Sequence, residues 1–218
     1  FPYTTLFRSM GGHESGEVAS GETVRVLAEY MINNLYIPLI KDDGSGPIPK
    51  VDAILIGAVE EVQKVVSEKV PGGGTTLTAA VILGKDITIA HVGDSRAYFI
   101  NPNGSFEIIT HDHSLVQRLQ DLGQITEEDA LVHPQRNVLY RAIGQADPLT
   151  PDISTRKIQG PGYLLLCSDG LWGVVPKQEL IQTVLNEACP SDVCAKLVNA
   201  ANERGGPDNI TAVLIQFL

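Results

Sequence analysis

A change of period near Thr75 narrows the folds open to this chain more than any other feature. Before it, Val18, Val26, Leu27 and Tyr30 recur at helical spacing behind Ser15, a residue able to cap a helix that runs to about Leu35. Residues 51–69 repeat that pattern, so two long amphipathic helices are predicted. From Thr75 the apolar residues run as strands, TTLTAAVIL, ITIAHV, RAYFI and SFEIIT, with the turn formers GKD, GDS and NPNG between them. That spacing predicts an antiparallel meander. Asp112 or Ser114 can cap a short helix ending at Gly123, and Thr126 with Asp129 can cap another. A polar insert over about residues 111–144 therefore follows the meander. Strands are predicted again at 153–158 and 163–168, helices at about 176–187 and 191–203, and a last strand at 210–217. Helices gathered in blocks beside antiparallel strands indicate an α+β fold rather than a βαβ alternation.

Composition removes several function classes. Lys and Arg number 16 against 26 Asp and Glu, and the formal charge of −10 repels phosphate backbones and anionic head groups. Nucleic acid and membrane surfaces are thus excluded as partners. The longest apolar runs fall far below the ~20 residues that a membrane-spanning helix needs. The 3 cysteines, Cys167, Cys189 and Cys194, are odd in number and lack CxxC spacing, so neither a disulfide framework nor a zinc knuckle is indicated. A reducing cytoplasm is the expected compartment. Cys167 reads as a buried strand thiol, because no arginine-bearing loop follows it as thiolate chemistry on phosphate would require. The run Gly72 to Gly74 is not a nucleotide loop, since it opens a strand and lacks GK[ST].

Acidic residues stand beside glycine where apolar strands end: Gly93-Asp94-Ser95, Ser168-Asp169-Gly170 and Gly206-Pro207-Asp208-Asn209. Any one of these could be only a turn, because Asp bonds its own backbone and Gly accepts positive φ. Together they offer three carboxylates that can converge at one end of the fold, and converging carboxylates repel unless a cation neutralises them. Oxygen ligands favour Mg²⁺ or Mn²⁺ over Zn²⁺. Two such ions about 3.5–4 Å apart can activate water and stabilise charge on a phosphoryl group.

Six ordered segments carry a resemblance: MGGHESGEVAS from Met10, GGGTTLTAAVI from Gly72, AHVGDSRAYFI from Ala90, HDHSL with HPQRNVLYRAIG over 111–144, LLLCSDGLWG from Leu164 and GGPDNITAVLI from Gly205. In these the chain resembles the bacterial branch of the metal-dependent protein phosphatases, the PPM or type 2C family. The resemblance implies a two-sheet antiparallel β-sandwich flanked by helices in α-β-β-α layers, and hydrolysis of phosphoserine and phosphothreonine in proteins by a metal-activated water. It implies two to three Mn²⁺ or Mg²⁺ ions. By position, Asp169 and Asp208 match ligands of the paired metals, and Asp94 with Asp169 matches a third, weaker site. His13 matches a histidine suspected of protonating the leaving oxygen, a task suited to imidazole. Residues 111–144 match a mobile flap beside the cleft. His111, His113 and His133 are spaced too irregularly for zinc and read as flap or surface residues.

The amino terminus departs from the family. Before MGGH the family has a strand ending in Asp-Gly, with an arginine and a Glu-Asp pair further upstream; here Arg8 and Ser9 stand at the Asp-Gly positions. Residues 1–9 therefore read as an unrelated tag or artefactual segment ahead of a phosphatase domain spanning 10–218, and the fold as incomplete at its start. A guanidinium cannot bind a metal, so an impaired site is expected. The expected partners are phosphoproteins and an opposing serine/threonine kinase. Two alternatives stay open: a pseudophosphatase that binds phosphoproteins without turnover, and a sporulation-type or sigma-factor-regulating phosphatase, which the flap-like insert disfavours.

Overall fold

A computed structural model describes residues 3–10, 13–41, 49–145 and 148–218, those before residue 15 by backbone alone. The chain divides into two compact units, Phe1–Val92 with Arg141–Lys157 and Gly93–Tyr140 with Ile158–Leu218. Each is built on a four-stranded antiparallel sheet flanked by helices, which is the α+β class expected.

In the first unit the sheet runs β1 (Tyr3–Met10), β2 (Gly74–Leu83), β3 (Asp86–Val92), β6 (Asp152–Lys157). Helices α1 (His13–Met31) and α3 (Val51–Lys69) lie against it; a π-helical turn at Ile32–Tyr36 leads from α1 into the short α2 (Ile37–Lys41). The core joins Leu27 and Met31 of α1, Leu55 and Val62 of α3, and Leu77 and Val81 of β2. Each such side chain, fully buried, contributes on the order of 1.5–3 kcal/mol by leaving water. The helix α1 begins two residues before Ser15, which therefore sits inside its first turn and is not the cap. Val18 is 53% exposed; the buried stripe is instead Ala19, Thr23, Val26, Leu27 and Met31, one residue round the helix. Tyr3–Met10 pairs with β2 along its whole length, with Arg8 opposite Thr76, so the backbone of the segment set aside in the sequence reading forms the edge of this sheet. Residues 42–48, which follow α2, lie outside the described residues.

In the second unit the order is β5 (Phe106–Ile108), β4 (Arg96–Ile100), β7 (Gly162–Cys167), β8 (Ala212–Phe217). Tyr98, Ile100, Leu165 and Cys167 alternate onto the face that meets Leu180 and Val184 of α7 (Lys177–Asn186) and Val193 and Leu197 of α8 (Pro190–Glu203). The meander is corrected here: β2 pairs with β3 and β4 with β5, but β3 and β4 belong to different sheets. Alternation of apolar residues shows that a strand exists and is silent about its partner. The helices of the insert are α4 (Leu115–Asp121) and α5 (Glu127–Val132). Ser114 accepts from the Gln117 amide, and Thr126 and Asp129 form a reciprocal capping box, as their spacing predicts.

Cys167 is buried, Cys189 exposed and Cys194 partly buried, all as free thiols. Hydrogen bonds from the Ser191 side chain, then from the Ser191 and Asp192 amides, lower the Cys189 thiol, whereas burial raises Cys194 and Cys167. Since the thiolate is the nucleophile, iodoacetamide near pH 8 is expected to alkylate Cys189 first, Cys194 later and Cys167 only on unfolding. Peptide mapping over time checks this order; early labelling of Cys167 contradicts the packing of β7.

Candidate active site

Strand register brings the three aspartates to one end of the second sheet. Arg96 pairs with Cys167, and Cys167 with Ala212, across antiparallel neighbours. Asp94 lies two residues before Arg96, Asp169 two after Cys167 and Asp208 four before Ala212. All three leave the sheet on the same side of that row, and all three line one cavity of about 150 Å³.

Local bonds hold two of the segments together. Ser168 donates its hydroxyl to the Asn209 carbonyl at 2.8 Å and accepts from the Thr211 amide at 2.9 Å; its own amide donates to the Thr211 carbonyl at 3.2 Å. Asp208 Oδ1 accepts from the Asn209 amide at 2.8 Å. Gly170 then follows Asp169 into the single-turn helix α6 (Asp169–Trp172). Its value there is space, not positive φ: a Cβ at Gly170 would stand 2.4 Å from the Asn209 carbonyl oxygen. Gly93, with φ at 111°, does supply the positive φ expected of a glycine before Asp94.

A second set of side chains behind the aspartates escaped the sequence reading. Arg96 Nε donates to Asp112 Oδ1 and Oδ2 at 3.0 and 3.1 Å, and its Nη2 to Oδ2 at 2.8 Å. The side chains are 19% and 5% exposed. Burial by itself would lower the Arg96 guanidinium and raise the Asp112 carboxyl; each partner's charge opposes that, and Arg96 ends well above its ordinary range, fully charged. The guanidinium stacks on the Trp172 ring at 3.5 Å, and Trp172 Nε1 donates to the Asp94 carbonyl at 3.0 Å. Asp112, Arg96, Trp172 and the Asp94 backbone thus form one continuous chain of contacts. One signal was available: Arg96 shares strand parity with Tyr98 and Ile100, so a charge at that inward position needed a buried partner. From the insert, Arg136, Asn137 and Gln117 also line the cavity, with Arg136 exposed.

The histidines separate. His113 is 1% exposed, and its Nδ1 accepts from the Gly93 amide at 3.0 Å, so it is a buried support of the turn before Asp94 and not a surface residue. His111 is exposed and pairs with Asp121 at 3.1 Å, and His133 accepts from the Gln135 amide. The backbone of His13 opens α1; its side chain lies outside the described residues.

Among the described residues no three His, Cys, Asp or Glu side chains converge into a ligand set. Yet Asp94 and Asp169 each bury a carboxylate oxygen at this cavity, and the donors are all hard oxygens. Mg²⁺ commonly binds through one or two carboxylates while keeping several waters, and such a donor set fits it.

The comparisons with known proteins agree with this geometry. The family model for protein phosphatase 2C matches residues 13–210. The serine/threonine phosphatase stp of Listeria welshimeri is 34% identical over 221 residues, covering 99% of this chain and 84% of that protein. Among solved structures, the serine/threonine phosphatase of S. agalactiae gives a TM-score of 0.84 at 34% identity, over 97% of this chain and 86% of that one. The catalytic domain of the serine/threonine phosphatase PstP, solved with 2 manganese ions, gives 0.82 at 30% identity, over 98% and 86%. No helix among the described residues is long and apolar enough to cross a membrane. With its aspartates gathered at the end of one antiparallel sheet and its sequence matched nearly end to end, the chain belongs to the protein phosphatase 2C family, among the bacterial protein serine/threonine phosphatases.

Proposed function

We propose that this chain hydrolyses phosphoserine and phosphothreonine in proteins, with Asp94, Asp169 and Asp208 holding Mn²⁺ or Mg²⁺ and His13 protonating the leaving oxygen. The observation that carries the reading is the shared cavity of the three aspartates, with Arg136 on its rim. Such ions, when bound, polarise the phosphoryl group and make water a better nucleophile. The protein's own part is placement. Ser168 and Gly170 hold the Asp169 and Asp208 segments at close range, the Trp172 indole fixes the Asp94 backbone, and Arg136 with Asn137 offers donors to the phosphate oxygens. The substrates are phosphoproteins, made by an opposing serine/threonine kinase in the cytoplasm.

Arg8, at the position where the family carries a bridging aspartate, favours low turnover in this chain and keeps binding without turnover as the second reading. Calorimetric titration with Mn²⁺, beside hydrolysis of p-nitrophenyl phosphate and a phosphothreonine peptide with and without EDTA, separates them. We expect Mn²⁺ binding weaker than micromolar, its loss in Asp169→Asn, and slow hydrolysis that EDTA stops. Arg8→Asp with Ser9→Gly should tighten Mn²⁺ binding with little gain in turnover. Tight Mn²⁺ binding that survives Asp169→Asn removes the ligand assignment, and peptide binding with no hydrolysis by wild type or double variant establishes the second reading.

A further inference from the structure

Beside the carboxylate cavity the second unit holds a larger trough of about 310 Å³ that the chemistry above does not use. Its walls are Phe106 and Ile108 of β5, Leu131 of α5, and Val174, Pro176 and Leu180 beyond the SDGLWG turn. The Arg96 guanidinium stacked on Trp172 also lines it, as does Tyr98, in ring contact with Phe106 at 4.7 Å. Two observations say what it takes. The trough is continuous with the carboxylate cavity: Arg96, Glu127, Leu131, Trp172, Gly173 and Val174 line both. Its charges balance, for Glu127 and Lys177 both line it, the Lys177 ammonium lying 4.4 Å from the Phe106 ring, and Arg96 is already paired with Asp112. A charged occupant gains nothing there, while an apolar one covers Ile108 and Leu131, which stand 41% and 52% exposed.

We propose that this trough is a specificity subsite that receives a large apolar side chain, Leu, Met or Phe, lying one or two residues from the phosphorylated residue of the substrate. The inference rests on the phosphatase reading, because the neighbouring cavity must hold the phosphate. The volume accommodates an aromatic ring, and an extended peptide advances only about 3.3 Å per residue, so a near neighbour of the phosphoresidue enters the trough while its phosphate stays among the aspartates. Sequence selectivity then comes from β5, α5 and the turn after α6, and requires no further charge at the site.

The test uses fluorescently labelled phosphothreonine peptides in an alanine background, each with one Phe or Leu at position −2, −1, +1 or +2. Binding is read by anisotropy in Mn²⁺, and hydrolysis by phosphate release from the same samples. One position is expected to bind about tenfold tighter than the all-alanine peptide, the gain a hydrophobic pocket gives for a well-fitted group. Ile108→Asp and, separately, Leu131→Ser are expected to bring that ratio close to one; because two peptides are compared on one protein, a general loss of affinity cancels. Equal affinity for all peptides, or a preference untouched by both variants, overturns the subsite even if hydrolysis is normal. A preference that both variants abolish, with no hydrolysis of any peptide, keeps the subsite and overturns the phosphatase reading. If Ile108→Asp instead dissolves a dimer in sedimentation and leaves peptide affinity unchanged, the trough is a contact between copies and the proposal fails.

Discussion

Arg96→Ala is expected to lower the unfolding free energy by about 3–5 kcal/mol, the usual cost of stranding one charge of a buried pair. Asp112 would keep a carboxylate with a side chain only 5% exposed and lose all three hydrogen bonds from the guanidinium. Trp172 would lose the cation on its ring as well, a contact worth on the order of 0.5–2 kcal/mol. The loss should be smaller when both charges go together: Arg96→Met with Asp112→Leu is expected to be closer to wild type than Arg96→Ala alone, since no orphaned charge remains. Trp172 is the only tryptophan of the 218 residues and lies in this cluster, so its fluorescence during urea unfolding reports the second unit directly. A loss below about 1 kcal/mol would place Arg96 with ordinary surface ion pairs and refute the buried pair as an anchor.

Gly170→Ala is expected to cost about a hundredfold in Mn²⁺-dependent turnover, because misplacement of a site by about 1 Å has effects of that size. The added methyl group meets backbone, the Asn209 carbonyl oxygen at 2.4 Å and the Asp208 carbonyl carbon at 3.2 Å, and neither can rotate away as a side chain would. Relief comes only if the Pro207-Asp208-Asn209 loop moves away from Asp169, which spreads two carboxylates that share one cavity and strains the Ser168 bonds to Asn209 and Thr211. Mn²⁺ affinity should fall in parallel, while Gly104→Ala, a distant turn glycine at φ 83°, should cost stability and leave Mn²⁺ affinity alone. Unchanged metal affinity in Gly170→Ala would show that Asp208 is not a ligand.

The origin of each part of this protein differs. Element positions are legible in the sequence because they depend on neighbours within one turn or one pleat. The α3 pattern over Val51–Lys69, the Ser114 and Thr126 caps and the aspartates at strand exits are all of that kind. Family membership is legible for a related reason, since six short motifs survive in order without any coordinates. The pairing of strands was not legible: β3 and β4 are separated by three residues and still enter different sheets, as pairing is a choice among distant partners that share one alternation pattern. The same holds for His113, whose ring reads as polar surface until a Gly93 amide 20 residues away is brought to its Nδ1. It holds for Gly170, whose missing side chain matters only against a loop nearly forty residues further on. Arg96 lies between these cases: its strand parity announces a buried charge, and only the tertiary structure supplies Asp112 and Trp172 to satisfy it, because an ion pair or a close backbone contact depends on distances in space that no local spacing encodes.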